Sequence, residues 1–152
     1  MDTVDETRDI RDRIISTYSE WTAFSATRSG CPLKSKEDVY PLIRVTDFDI
    51  LFDINRGVIS QSEFEAWHKT HALRLHDLRH EMPIGWTTKI INVYLKTRAY
   101  IADEGRPNLQ NMLHPPVDRG LWQGISERFP DQRQRLCPNS PVKTLGLDTS
   151  GI

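Results

Sequence analysis

Residues 60–103 read SQSEFEAWHKTHALRLHDLRHEMPIGWTTKIINVYLKTRAYIAD, and this stretch decides the fold class. Ser60 or Ser62 can cap a helix on which Phe64, Trp67, His71, Leu75 and Leu78 follow at helical spacing. That helix ends before Pro83, since a proline ring has no amide hydrogen and clashes with the preceding turn. A second helix begins near Trp86 or Thr87 and continues to about Asp103. Ile90, Ile91, Tyr94, Leu95, Ala99 and Ala102 line its broad apolar face, and Gly105-Arg106-Pro107-Asn108 ends it.

Outward from this pair the pattern stays helical. Toward the N-terminus, Asp5 to Ala26 reads as a helix with Ile10, Ile14, Tyr18 and Trp21 on one stripe. Asp5, Glu6 and Asp9 favour the positive end of its dipole, and Ser29-Gly30-Cys31-Pro32 breaks it. Glu37 to Asn55 is helical with an interruption near Arg44–Thr46, where Thr46 is a candidate N-cap. Asn55-Arg56-Gly57 stops it, and Val58-Ile59 is too short for a strand. Toward the C-terminus, Leu109–His114 leads to an extended Pro115-Pro116 and a short last helix, Asp118 to Phe129. From Pro130 three prolines, two glycines and no periodicity imply a loosely ordered tail. No pair of alternating strands with a hairpin turn occurs. The expected fold is all-α: a compact bundle of about five helices in one domain over 1–129, with a tail over 130–152.

Composition narrows the class. With 152 residues, 38% hydrophobic and 27% charged, the chain suits one globular domain. No apolar run approaches the roughly 18 residues of a membrane span. The first residues carry neither the basic nor the apolar region of a secretory signal, so a cytoplasmic protein without a membrane partner is expected. Cys31 and Cys137 each precede a proline and form no metal motif. His68, His71, His76 and His80 spread over more than three helical turns and form no His-Glu-x-x-His, so no metal is expected. Nucleotide loops and a nucleophile elbow are absent, and no cofactor is expected. The net charge of −1 excludes a generally basic coat. It is unevenly spread: residues 1–65 carry 8 Lys/Arg against 13 Asp/Glu, and residues 66–152 carry 12 against 8. A basic second half points to an anionic partner or to a merely solvated surface.

The stretch with most chemical content is Pro83-Ile84-Gly85-Trp86-Thr87-Thr88-Lys89, joined later by Pro116-Val117-Asp118. A short glycine turn before a helix leaves amides and a dipole that hold phosphate. Lys89 adds an ammonium in the first turn, and Asp118 opens the last helix behind a rigid Pro-Pro pair. Over about residues 62–129 this arrangement resembles the helix-hairpin-helix DNA glycosylases. In that superfamily a hairpin of the form Leu-Pro-Gly-Val-Gly-x-Lys grips DNA backbone, and a Val-Asp segment supplies the catalytic carboxylate. The resemblance implies that Gly85 is the first hairpin glycine, Lys89 the lysine used as a nucleophile by bifunctional members, and Asp118 the catalytic aspartate. The sequence departs from the pattern in Ile84 between proline and glycine, in Thr87 at the second glycine, in the 29 residues from Lys89 to Asp118, and in Arg119-Gly120 where a histidine often follows.

The resemblance further implies DNA contacts from Gly85, Trp86, Thr87, Thr88, Lys96, Arg98 and Arg119. His114, Trp122 and Tyr94 are candidates for a base pocket, the alternative for Tyr94 and Trp122 being a place in the core. The expected activity is cleavage of the N-glycosidic bond of a damaged or modified base in double-stranded DNA, leaving an abasic site without strand cleavage. A modified base in phage DNA is one substrate of this kind, which would make the enzyme part of antiviral defence. The alternative is a non-enzymatic helical module that binds DNA or protein, in which Asp118 is simply the N-cap of the last helix.

Overall fold

A computed structural model describes residues 3–27, 30–114 and 127–128, with side chains from residue 9 onward. The chain divides into two units, residues 1–116 and 117–152. Among the described residues every regular element is helical. The last helix and tail expected beyond residue 117 lie outside the description, apart from residues 127–128, which are helical.

Four helices are long: α1 (Thr3–Ser25), α2 (Lys36–Arg44), α4 (Gln61–Leu78) and α5 (Ile84–Lys96). Two single turns, α3 (Asp49–Phe52) and α6 (Leu109–Met112), complete the set. The caps explain the boundaries. Ser60 accepts from the Glu63 amide at 3.2 Å and starts α4 at one of the two expected serines. Ser35 does the same for α2 through the Asp38 amide. Thr46 does not cap α3; its hydroxyl donates back to the Leu42 carbonyl at 2.9 Å and closes the end of α2. Phe48 therefore opens α3 without a side-chain cap. Pro83 opens α5 from φ −55°, so this helix begins two residues before Trp86. Its far end widens into a π-helical turn over Thr97–Ile101 rather than continuing as α-helix to Asp103.

α5 is the central element, with α1 and α4 packed on its flanks. Ile90, Ile91 and Leu95 on it, with Phe64 and Leu75 on α4, are almost fully buried. Each such side chain contributes about 1.5–3 kcal/mol on leaving water. Phe48 lies at the heart of an aromatic group, with ring centroids 4.4 Å from Tyr94 and 5.6 Å from Trp67.

α1 is inverted relative to its pattern. An apolar stripe ordinarily faces the core, yet Ile10, Ile14, Tyr18 and Trp21 are 49%, 63%, 44% and 48% exposed. The side facing α5 is small and polar: Ser19 and Ala23 are fully buried, and the Thr22 and Thr97 hydroxyls meet at 2.8 Å. Small residues let the two backbones approach closely, and the larger apolar residues are left outside.

A buried arginine fastens the loop between α3 and α4. Arg106, 4% exposed, donates to the carbonyls of Gly57 at 2.9 Å, Val58 at 3.2 Å and Arg56 at 3.3 Å, and pairs with the Glu63 carboxylate. Gly57 supplies the φ of 71° that turns the chain there.

Candidate functional site

The connection from α4 to α5 covers residues 79–83, and Gly85 falls inside α5 rather than in that connection. The connection is held by Met82 N–H on the Arg79 carbonyl at 2.8 Å and by His76 Nδ1 on the Met82 carbonyl at 2.7 Å. Gly85 has no left-handed backbone, and a Cβ added there meets nothing within 4 Å. The glycine turn read between the helices is therefore a proline cap followed by ordinary helix. No side chain caps α5. The amides of Trp86 and Thr87 return to the Pro83 carbonyl, which leaves those of Ile84 and Gly85 ahead of any acceptor within the helix.

Past this end, one stripe of α5 is partly open. Trp86, Lys89, Val93 and Lys96 recur at three or four residues and are all half-buried. Lys89 and Lys96, seven residues apart, stand about 10 Å from each other along the axis. The Lys89 Nζ lies 4.9 Å from the Trp86 ring centre, a cation–π contact that holds the ammonium beside the helix start. Thr88 is half-buried and donates to the Gly85 carbonyl at 3.0 Å. Thr87 points the other way. It is fully buried against α4, with its hydroxyl hydrogen shared between the Ala72 and Ile84 carbonyls, so it has no surface to offer a phosphate.

His114 borders the same face. Its ring lies 5.6 Å from Phe64 and 5.4 Å from His68. His68 Nε2 lies 2.9 Å from Asn92 Oδ1, a pairing in which the ring nitrogen carries the proton. Asn92 sits between Lys89 and Lys96 on α5. Burial is the main reason the His68 ring titrates below its ordinary range; the Asn92 bond opposes the shift and the nearby His114 adds to it. From the sequence His68 reads as the surface of an amphipathic helix rather than a metal ligand, and Asn92 carries no assigned role. The usable signal was a lone amide inside the most apolar helix.

Tyr94 and Arg98 are brought together, but elsewhere. Tyr94 is five residues from Lys89, which turns it about 140° around α5. Its ring is buried against Phe48, and its hydroxyl oxygen accepts from Arg98 at 3.0 Å. Burial raises the phenol's pKa, against the opposing pull of Arg98. Arg98 also pairs with Glu104 and lies 4.8 Å over the Phe52 ring. Both residues line a polar cleft of about 390 Å³ together with Glu20, Arg44, Thr46 and Phe52. Glu20 and Arg44 form a two-pronged pair there at 2.7 and 2.9 Å. Among the described residues, the set read as DNA-facing is thus divided between the open stripe of α5, its buried side at Thr87, and the π-helical turn beyond it at Arg98. Asp118, Arg119 and Trp122 lie outside the described residues.

No family model matches this chain, and neither the curated proteins nor the solved structures give a match. Among the described residues, no group of three or more His, Cys, Asp or Glu is placed to hold a metal ion. His71 packs on the Trp67 ring, its Nδ1 lacking a partner, while His76 and His80 meet edge to face. Cys31 is a buried free thiol whose pKa is raised chiefly by burial. No helix among the described residues is long and apolar enough to cross a membrane.

Proposed function

We propose that the chain is a cytoplasmic DNA glycosylase-like enzyme. It removes a damaged or modified base from double-stranded DNA and leaves an abasic site. The observation that carries this reading is the face of α5 on which Trp86, Lys89 and Lys96 align beside His68, Asn92 and His114. Two lysines on one stripe and an uncapped helix start suit a phosphate backbone. The connection between α4 and α5 serves as the hairpin of this reading. Aromatic rings at the edge of that face suit stacking on an unpaired base. Asp118 follows His114 by four residues in the sequence.

The chemistry assigned to these groups is direct. The target nucleotide leaves the stack at a cost of a few kcal/mol. Loss of the base builds positive charge on the sugar, which the Asp118 carboxylate stabilises while orienting water. Lys89 and Lys96 hold phosphate, and His114 stands at the base. Tyr94 belongs to the core and takes no part, and Arg98 serves the polar cleft.

The test incubates the protein and an Asp118→Asn variant with duplexes carrying damaged bases and with naturally modified phage DNA, followed by alkali. Asp118-dependent abasic sites on one substrate are expected, with Lys89→Ala weakening DNA binding. Strand cleavage before alkali would make Lys89 a nucleophile. Silence on every substrate, with salt-sensitive DNA binding and an intact fold, would leave the second reading, a non-enzymatic binding module. The exposed stripe on α1 is the observation that favours that module.

A further inference from the structure

We propose that α1 is the interface of a symmetric dimer, its apolar stripe covered by the same stripe of a second, antiparallel copy of this chain. Ile10, Ile14, Tyr18 and Trp21 stand about half exposed in a row, and with Arg13, Thr17 and Tyr40 they line an open groove of about 660 Å³. The Tyr18 and Trp21 rings are already stacked on each other at 5.8 Å, which holds the aromatic end of the groove in one arrangement. Phe24 and Ala23 seat α1 on the core, and the four large apolar side chains of the stripe are left outside as a second, unpartnered apolar face.

The spacing of the stripe selects the occupant. Residues 10 and 21, and residues 14 and 18, are centred on nearly the same point, near residue 16. A two-fold axis through that point sets Ile10 beside Trp21 of the second copy and Ile14 beside Tyr18 of the second copy. Every aliphatic residue then meets an aromatic one, twice over by symmetry, as an isologous interface requires. Charge agrees with this register. Asp9 lies exposed at the Ile10 end, and the Arg44 guanidinium, 65% exposed and already paired with Glu20, lies at the Trp21 end over the Tyr40 ring. Antiparallel pairing brings these opposite charges together at both ends, and it also opposes the two helix dipoles.

The same charges reject a membrane surface. α1 holds 5 acidic residues against 3 arginines, so anionic lipid repels it. The four apolar side chains offer roughly 400 Å² at half exposure, taking about 150–250 Å² for a large side chain. A standard interface needs about 800 Å² per partner, and Arg13, Thr17, Tyr40 and the charged ends supply the remainder. With these the interface approaches the standard size, while its four central apolar side chains alone fall short of it.

Sedimentation equilibrium of the full chain, over roughly a hundredfold range around micromolar concentration, tests this. The wild type is expected to pass from monomer to dimer. Ile14→Glu and Tyr18→Glu should each raise the dissociation constant about tenfold or more, since each buries a carboxylate in the seam. At concentrations where the wild type is monomeric, both variants should keep its circular dichroism and melting temperature, because both positions are largely exposed in the monomer. Leu78→Glu, at an exposed leucine on α4, should leave the dimer unchanged. A wild type that stays monomeric throughout would overturn the proposal. So would a dimer indifferent to both stripe variants, a dimer equally weakened by Leu78→Glu, or stripe variants that unfold.

Discussion

Replacing Arg106 by methionine keeps the length and apolar stem of the side chain but removes every donor. Two of the hydrogen bonds lost, to the Gly57 and Val58 carbonyls, at 2.9 and 3.2 Å, are made by a charged group. Bonds to charged groups contribute about 1.5–3 kcal/mol each, so these two account for about 3–6 kcal/mol, with the Arg56 carbonyl bond and the Glu63 pair lost besides. The loop itself is open, with Ile54 and Val58 both 68% exposed, so water reaches the freed carbonyls and the lower end applies. A loss of about 3 kcal/mol lowers the melting temperature by roughly 6–12 °C in a chain of this size. Arg106→Lys should recover only part, because an ammonium cannot serve carbonyls and a carboxylate with one planar fork. Thermal and urea unfolding followed by far-ultraviolet circular dichroism measure both variants. A methionine variant melting within about 2 °C of the wild type would show that water replaces the guanidinium, and Arg106 would then not be an anchor.

Two further outcomes are expected. Gly85→Ala should raise stability by about 0.5–1 kcal/mol in urea unfolding, because Gly85 is an ordinary helical position with open space at its Cβ; destabilisation would restore a strained glycine turn at that position. Burial holds His68 and His71 below their ordinary 6.5, so the unfolded chain takes up these protons first. The stability they contribute is whole above about pH 6.5 and falls as pH drops toward their lowered values. Asp38, Glu63 and Glu81 are held below their ordinary range by hydrogen bonds, those from Arg79 and Arg106 among them, so their losses come at lower pH and leave this window to the histidines. A melting temperature unchanged between about pH 7 and 5.5, or a His68→Gln variant with the same slope as the wild type, would contradict the assignment.

Much of the helical layout is legible in local chemistry. Ser60 and Ser62 both announce the start of α4, since a hydroxyl before an apolar period serves as a cap, and Phe64, Trp67 and Leu75 then fall inside as their spacing requires. Other features depend on partners distant in sequence. The α1 stripe is visible as a stripe, but its direction is set by the burial of Ser19 and Ala23 and by Thr22 meeting Thr97, which no local pattern encodes. Thr46 resembles a cap because it precedes acidic residues, yet the Leu42 carbonyl behind it competes for the hydroxyl and wins. For the site, Lys89 and Trp86 are legible as neighbours at helical spacing, whereas the separation of Tyr94 from them follows once both are placed on one continuous helix. The contact of His114 with His68 joins residues 46 positions apart and has no sequence signature.

The Arg106 anchor also imposes a schedule on the growing chain. The carbonyls it holds belong to residues 56–58, so that loop is made long before its clamp exists. At about 5–20 residues per second, a ribosome takes several seconds to deliver the intervening segment. Throughout that interval α2 and α3 are joined to α4 by a loop held by its own short turn, in which the Arg56 and Gly57 amides return to the Asp53 and Ile54 carbonyls. Any nascent chain ending short of residue 106 leaves it so. Until residue 106 is made, the Arg56, Gly57 and Val58 carbonyls have no guanidinium to hold them and keep their bonds to water.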